Sequence, residues 1–129
     1  MKATILLVED NEQNRYLATF LLERRGHVVI SATSGLVALE LAFRIMPDLV
    51  LLDIQLPGMD GHAVAQALKS DPRFDDIPIV AVTSYAMVGD REKAFAAGAE
   101  GYIEKPINPE TFVLEVERFL RPPFRSGAS

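Results

Sequence analysis

Short apolar runs alternate along this chain with longer stretches in which apolar residues recur every three or four positions. The runs at residues 4–8, 49–52 and 79–82 are almost wholly apolar, and weaker ones fall at 28–30 and 101–103. Runs of this length, bounded by polar or turn residues, are typical of strands buried on both faces of a sheet. The pattern therefore predicts five strands.

The stretches between these runs have the spacing of amphipathic helices. Their apolar stripes are Leu17, Phe20 and Leu21; Ala38, Leu39, Ala42, Phe43 and Met46; Val64, Ala67 and Leu68; and Phe112, Val116, Phe119 and Leu120. Asn11 is predicted to cap the first helix and Gly26 to end it, while Pro47 ends the second. Asn108 and Pro109 provide a cap and a first-turn proline for the last helix.

Strands that alternate with helices predict a parallel sheet with right-handed crossovers, and hence a doubly wound α/β fold with five strands and five helices. The fourth helix, over residues 86–98, is expected to be marginal because Gly89 lies inside it. Residues 1–121 are predicted to form one domain. Residues 122–129 lack periodicity and are predicted to be a disordered tail.

Composition excludes several classes of function. The net charge is -5 and the basic residues are scattered, so we expect no direct binding to nucleic acid. The chain has no cysteine, which excludes a disulfide framework and a thiolate zinc site and fits the cytoplasm. The first apolar run is too short for a signal peptide, and no stretch is long enough to span a membrane. We therefore expect a cytoplasmic protein with no membrane partner.

Polar residues follow the apolar runs, at the edge where parallel α/β sheets bind ligands. Glu9 and Asp10 follow the first run, Asp53 the third, Thr83 the fourth and Lys105 the fifth. Carboxylates that meet there repel one another, and a divalent cation such as Mg²⁺ offsets the repulsion. A carboxylate beside such a metal can attack phosphorus while the ammonium and the hydroxyl stabilise the phosphoryl oxygens. We predict Asp53 as the nucleophile in preference to Glu9 and Asp10, because it follows a central strand alone, but spacing by itself does not decide among the three.

Four segments resemble the signature motifs of response regulator receiver domains of two-component systems. They are VEDN at 8–11, DIQLPGMDG at 53–61, VTS at 82–84 and KP at 105–106. The similarity covers about residues 3–121 and implies a flavodoxin-like sheet with the strand order 2-1-3-4-5. Glu9 stands where the family often has aspartate, a common variant. Residues 53–57 and 82–90 most resemble single-domain cell-division regulators of the DivK type and receivers of hybrid kinases.

The resemblance implies a role for each acid. Asp53 would be the phosphoacceptor of a phosphoprotein. Asp10 and Asp53 would bind Mg²⁺ directly, together with the backbone carbonyl of Gln55, and Glu9 would act on the metal mainly through water. Gln55 and Tyr85 would control the access of water to the acyl phosphate.

The resemblance also implies how the phosphoryl group is held and read. Thr83 and Lys105 would bind its oxygens, and the Lys105–Pro106 peptide bond would be cis, as in the family. Thr83 and Tyr102 would form a switch pair. The partner surface would then be the fourth helix, the fifth strand and the last helix.

The function implied is a phosphorylation-dependent switch. It would take its phosphoryl group from a sensor histidine kinase or a histidine phosphotransfer protein and pass the signal to a downstream target protein. It would not be an enzyme in the metabolic sense, because it catalyses only its own phosphorylation and dephosphorylation, and the resemblance leaves a phosphorylation-dependent dimer open. The alternative is a receiver module excised from a hybrid histidine kinase that acts in a phosphorelay.

Two other classes share this architecture. A phosphatase with an aspartate nucleophile usually has a second acid two residues later, where this chain has Gln55. A flavin or dinucleotide-binding domain needs a glycine-rich turn after the first strand, where this chain has Glu9 and Asp10. His27 and His62 have no partner histidine at ligand spacing, and we predict that both are surface residues.

Overall fold

The computed structural model describes residues 2–84 and 88–124, and within them five strands alternate with five α-helices. The strands are β1 (Thr4–Val8), β2 (Val28–Ala32), β3 (Leu49–Asp53), β4 (Ile79–Thr83) and β5 (Gly101–Glu104). The helices are α1 (Glu12–Arg24), α2 (Gly35–Ile45), α3 (Gly61–Lys69), α4 (Asp90–Ala96) and α5 (Phe112–Glu117). One turn of 3₁₀ helix, Pro72–Phe74, precedes β4. None of the described helices is both long and apolar enough to cross a bilayer.

All four strand pairs are parallel, and the strand order is β2-β1-β3-β4-β5. This confirms the predicted doubly wound, flavodoxin-like α/β fold. Every residue of β1, β3 and β4 is buried, because these strands are covered by helices on both faces, whereas β2 lies at an edge and is partly exposed.

Successive side chains of each strand point to opposite faces, which gives the sheet two apolar cores. Leu6 of β1 packs in one core with residues of α2 and α3, including Ala42 and Leu68. Its neighbour Leu7 packs in the other core with residues of α1 and α5, including Leu22. A third, smaller cluster joins β4 to α4 and consists of Ala81, Ala94 and Ala99.

The buried face of α1 differs from the predicted stripe by one position. Ala18 and Leu22 are fully buried, whereas Phe20 is exposed and stacks on Tyr16 at a ring distance of 6.3 Å. Both sets have the spacing of one helical turn, so periodicity alone could not separate them. The alanine lets α1 approach the sheet closely, and the aromatic pair lies on the outer face.

Two helices begin later than predicted. Gly89 has φ +91°, a left-handed conformation that cannot continue a helix, so α4 begins at Asp90 and not near residue 86. The predicted cap residue Asn108 accepts a hydrogen bond from the Glu110 N–H and forms a turn, and α5 itself begins at Phe112. The N-cap at Asn11 is confirmed, and Gly26, with φ +95°, follows the C-cap residue Arg25 and ends α1 as predicted.

The prediction that His27 is a surface residue is wrong, because the residue is 3% exposed. Its Nδ1 accepts a hydrogen bond from the Ala3 N–H at 3.1 Å, and its Nε2 lies 2.7 Å from Glu117 Oε2. Glu117 comes from the last helix and also accepts from Arg25. The imidazole therefore ties the start of β1 to α5 at the amino end of the sheet.

The predicted tail is described only as far as Phe124. This residue is partly buried against the core that contains Leu22 and Val116. Just before it, Arg121 forms an ion pair with Glu100.

Candidate functional site

Three carboxylates meet at the carboxyl ends of β1 and β3. Glu9 and Asp10 follow β1 directly and Asp53 is the last residue of β3, and these two strands are neighbours in the sheet. One oxygen from each carboxylate lies within 4.8 Å of the others, which is close enough for all three to share one metal ion. Glu9 and Asp53 are each 3% exposed, whereas Asp10 faces solvent. The site thus consists of two buried acids and one exposed acid.

Lys105 is the cation of this cluster. Its Nζ lies 2.7 Å from Glu9 Oε1 and 3.2 Å from Asp53 Oδ2. The Lys105–Pro106 peptide bond is cis, as predicted, and the Lys105 N–H donates to the Thr83 carbonyl at 2.7 Å. The structure therefore brings the predicted lysine onto the predicted nucleophile.

Burial and charge act against each other on these side chains. Burial raises the pKa of Glu9 and the nearby Asp53 carboxylate raises it further, although the hydrogen bond from Lys105 opposes the shift. Burial alone would lower the pKa of Lys105, but Glu9 and Asp53 outweigh this effect and the pKa is raised. The ammonium group is thus held in its charged form beside an excess of carboxylate.

Thr83 is the last residue of β4, one position beyond Val82, which pairs with Asp53, and it is 1% exposed. The Gln55 side chain joins the ends of the two strands. Its Nε2 donates to Thr83 Oγ1 at 2.6 Å, and its Oε1 accepts from the Ser84 N–H at 3.0 Å. The Gln55 N–H donates to Asp53 Oδ1 at 2.9 Å. Gln55 therefore contacts the site through both its main chain and its side chain.

Tyr102, the predicted switch partner of Thr83, lies on β5 opposite Ala81 and is partly buried. It packs against the small cluster of alanines beneath α4, and the Arg91 guanidinium lies 5.5 Å from the centre of its ring. Tyr102 is thus outside the acidic cluster. The prediction for Tyr85 falls outside the described residues.

Two residues at the site were not singled out from the sequence pattern. Arg15 of α1 donates from Nη1 to the carbonyls of Glu9 at 3.1 Å and Asp10 at 3.4 Å, and so fixes the loop that carries both acids. Gly61 begins α3 where a Cβ would lie 2.6 Å from the Asp53 carbonyl oxygen. Glycine is therefore required for α3 to start beside the nucleophile. Its place in the DIQLPGMDG motif was the only signal for it.

The chain matches the family model described as "Response regulator receiver domain" over residues 5–117, and it belongs to this family. It is a receiver domain of two-component signal transduction. The polar-differentiation response regulator DivK of Brucella ovis is 43% identical over 120 residues, which are 93% of this chain and 98% of the relative.

Solved structures of a response regulator and of a receiver domain are also similar to this chain. The chemotaxis response regulator CheY4 of Vibrio cholerae has a TM-score of 0.87 and 28% identity, and the match covers 93% of this chain and 100% of that one. A receiver domain of a sensor histidine kinase from Pseudomonas aeruginosa has a TM-score of 0.84 and 31% identity, covering 92% of this chain and 98% of that one. The latter structure is described with a magnesium ion coordinated in its active site cleft.

Proposed function

We propose that this chain is a phosphorylation-dependent switch that accepts a phosphoryl group on Asp53. The observation that carries the proposal is the position of the Asp53 carboxylate, which is buried beside two further acids with Oδ2 3.2 Å from Lys105 Nζ. The donor is a sensor histidine kinase or a histidine phosphotransfer protein, and the switch works in the cytoplasm. A receiver of a hybrid histidine kinase is the second candidate, favoured by the likeness to the Pseudomonas domain.

The site fits a divalent metal ion. Its charged ligands are all oxygens, and among the described residues three carboxylates face one ammonium group, which leaves an excess of negative charge. Asp10, Asp53 and the Gln55 carbonyl would hold Mg²⁺ directly, with Glu9 acting through water. When bound, the ion supplies positive charge to the phosphoryl oxygens.

Asp53 and Lys105 have different roles in the transfer of the phosphoryl group. An oxygen of Asp53 attacks phosphorus, the new O–P bond forms, and the P–N bond of the phosphohistidine breaks with its electron pair returning to the imidazole. Lys105, whose pKa is raised, remains protonated and contacts a phosphoryl oxygen as charge develops there. Water then hydrolyses the acyl phosphate, which returns the Asp53 carboxylate and releases inorganic phosphate. The chain acts in this way only on the phosphoryl group that it carries, and on no external metabolite.

Asp53→Asn and Asp53→Ala test the proposal most directly. Both variants are expected to fold but to take up no label from radioactive acetyl phosphate with magnesium, because only a carboxylate can form the acyl phosphate. Asp75→Asn, which changes an exposed aspartate outside the site, serves as the control and should label like the wild type. Stoichiometric labelling of both Asp53 variants would refute the assignment.

The switch acts from Thr83 toward Tyr102. A phosphoryl group that draws the Thr83 hydroxyl inward leaves space toward β5, and the partner surface is α4, β5 and α5. Thr83→Ala should therefore still be phosphorylated but signal poorly. Amide shift mapping with beryllofluoride, which mimics the phosphoryl group, should reach Tyr102 and α5 in the wild type only. Equal spreading of the shifts in Thr83→Ala would contradict this coupling.

A further inference from the structure

The Gln55 side chain holds two groups at the end of β4, the strand that neighbours β3 and its last residue, Asp53. Its Nε2 donates to Thr83 Oγ1 at 2.6 Å, and its Oε1 accepts from the Ser84 N–H at 3.0 Å. The orientation of the amide is fixed by Ser84, because a backbone N–H can only donate and must therefore face the oxygen. A carboxamide can donate from its nitrogen and accept at its oxygen at the same time, because both atoms are bonded to the same carbon.

The main chain of the same residue holds the nucleophile. The Gln55 N–H donates to Asp53 Oδ1 at 2.9 Å, so one residue contacts both Asp53 and the groups at the end of β4. The Ser84 N–H has a single hydrogen, which is given to Gln55 in this conformation. The Thr83 hydroxyl is buried and held at a short distance from the amide.

We propose that the Gln55 side chain is a latch that sets the affinity of the site for a phosphoryl group. A phosphoryl oxygen on Asp53 competes with the Gln55 amide for the Ser84 N–H, and it lengthens the bond from Nε2 to Oγ1 when it turns the Thr83 side chain toward itself. The amide must therefore leave before the Ser84 N–H can turn to the phosphoryl group. This inference rests on the proposed function, since it requires that the phosphoryl group is formed on Asp53.

The latch predicts the direction in which loss of the Gln55 amide changes the affinity for the phosphoryl group. Removing the amide leaves the phosphorylated form unchanged but takes two hydrogen bonds from the unphosphorylated form, so the phosphoryl group or its mimic binds more tightly. Typical net contributions of two hydrogen bonds together correspond to an increase in affinity of roughly fivefold to a hundredfold. A Gln55 that instead oriented Thr83 toward the phosphoryl group would give the opposite sign, because its loss would weaken binding.

The test is a beryllofluoride titration at fixed magnesium concentration, followed by amide chemical shifts. Gln55→Ala removes the amide with most of the side chain, and Gln55→Met removes the amide but keeps a side chain of similar length. Both variants retain the backbone N–H of residue 55, and both should bind beryllofluoride more tightly than the wild type. Gln66→Ala, which removes an exposed glutamine of α3, is the matched control and should bind like the wild type. The gain should be smaller in a Thr83→Ala background, where one of the two partners is already absent.

A second measurement needs no ligand. The Ser84 amide proton should exchange with solvent faster in Gln55→Ala and Gln55→Met than in the wild type, because its acceptor has been removed. Unchanged or weaker beryllofluoride binding in both Gln55 variants, or unchanged exchange at Ser84, would overturn the latch. If Asp53→Asn binds beryllofluoride like the wild type, the proposed function itself fails. If Asp53→Asn loses binding and the Gln55 variants gain nothing, only the latch fails.

Discussion

The two ends of the sheet both bury charged side chains, but they balance them differently. At the amino end, Asp48 accepts from the Thr4 N–H at 2.8 Å, and His27 joins the Ala3 N–H to Glu117. These polar groups are matched by fixed partners within the chain. At the carboxyl end, Glu9 and Asp53 face each other and share one ammonium group. There the acids exceed the partners that the described residues provide.

The carboxyl pKa values follow this difference. Burial would raise the pKa of Glu117, but hydrogen bonds from Arg25 and His27 outweigh it and the pKa is lowered. The pKa of Glu9 is raised, because burial and the nearby Asp53 outweigh the hydrogen bond from Lys105. The partners of Glu117 thus favour its charged form at the amino end, whereas at the carboxyl end the surroundings of Glu9 disfavour its charged form.

His27→Ala should break the amino end and has the largest expected effect. It removes the acceptor of the buried Ala3 N–H and leaves a cavity, so the free energy of unfolding should fall by about 3 kcal/mol in a denaturant titration. His62→Ala, at a partly exposed position on α3, should cost clearly less. Equal losses in the two variants would show that the contacts of His27 add nothing.

Magnesium should stabilise the protein through the acids at the carboxyl end of the sheet. A ligand that binds only the folded state at a concentration 100 times its Kd stabilises it by about 2.7 kcal/mol. The melting temperature of the wild type should therefore rise with magnesium, and Asp10→Ala should abolish the rise. Asp71→Ala, at an acid outside the site, should keep it. A metal response in Asp10→Ala like that of the wild type would remove this residue from the site.

The smallest expected effect is a pH dependence that arises at the amino end. Because the pKa of Glu117 is lower in the folded protein than in the unfolded chain, its carboxylate stabilises the fold above its ordinary value of 4.5. This contribution is lost as the pH falls through the folded value. In urea titrations across this range, Glu117→Gln should lose less stability on acidification than the wild type. Parallel curves would contradict the lowered pKa of Glu117.

The architecture could be predicted from the sequence because parallel strands buried on both faces are almost continuously apolar. Residues 4–8 and 79–82 show this directly. The buried face of α1 could not be predicted, since the sets that contain Ala18 and Phe20 have the same period. The burial of His27 depends on Glu117, which is 90 residues away in the chain, and no local pattern reports such a contact.

At the site, too, the positions of residues could be predicted from the sequence, whereas the contacts of their side chains could not. Asp53 and Lys105 could be predicted because both follow apolar runs, and the carboxyl ends of parallel strands meet at one edge. The hydrogen bond from Gln55 to Thr83 could not, because it depends on the direction of a side chain in a loop. The contact of Arg15 with the Glu9 carbonyl was hidden for the same reason, as its helix position alone does not fix where the guanidinium lies.

The alanine cluster beneath α4 determines how firmly that helix is held. Ala81, Ala94 and Ala99 bury one methyl group each, whereas α3 buries the larger side chains of Val64 and Leu68. Since a buried methylene is worth about 0.8 kcal/mol, separating α4 from the sheet costs much less than separating α3. In terms of local unfolding, α4 is therefore expected to separate from the sheet more readily than α3, and this opening would leave in place β3, the strand that carries Asp53.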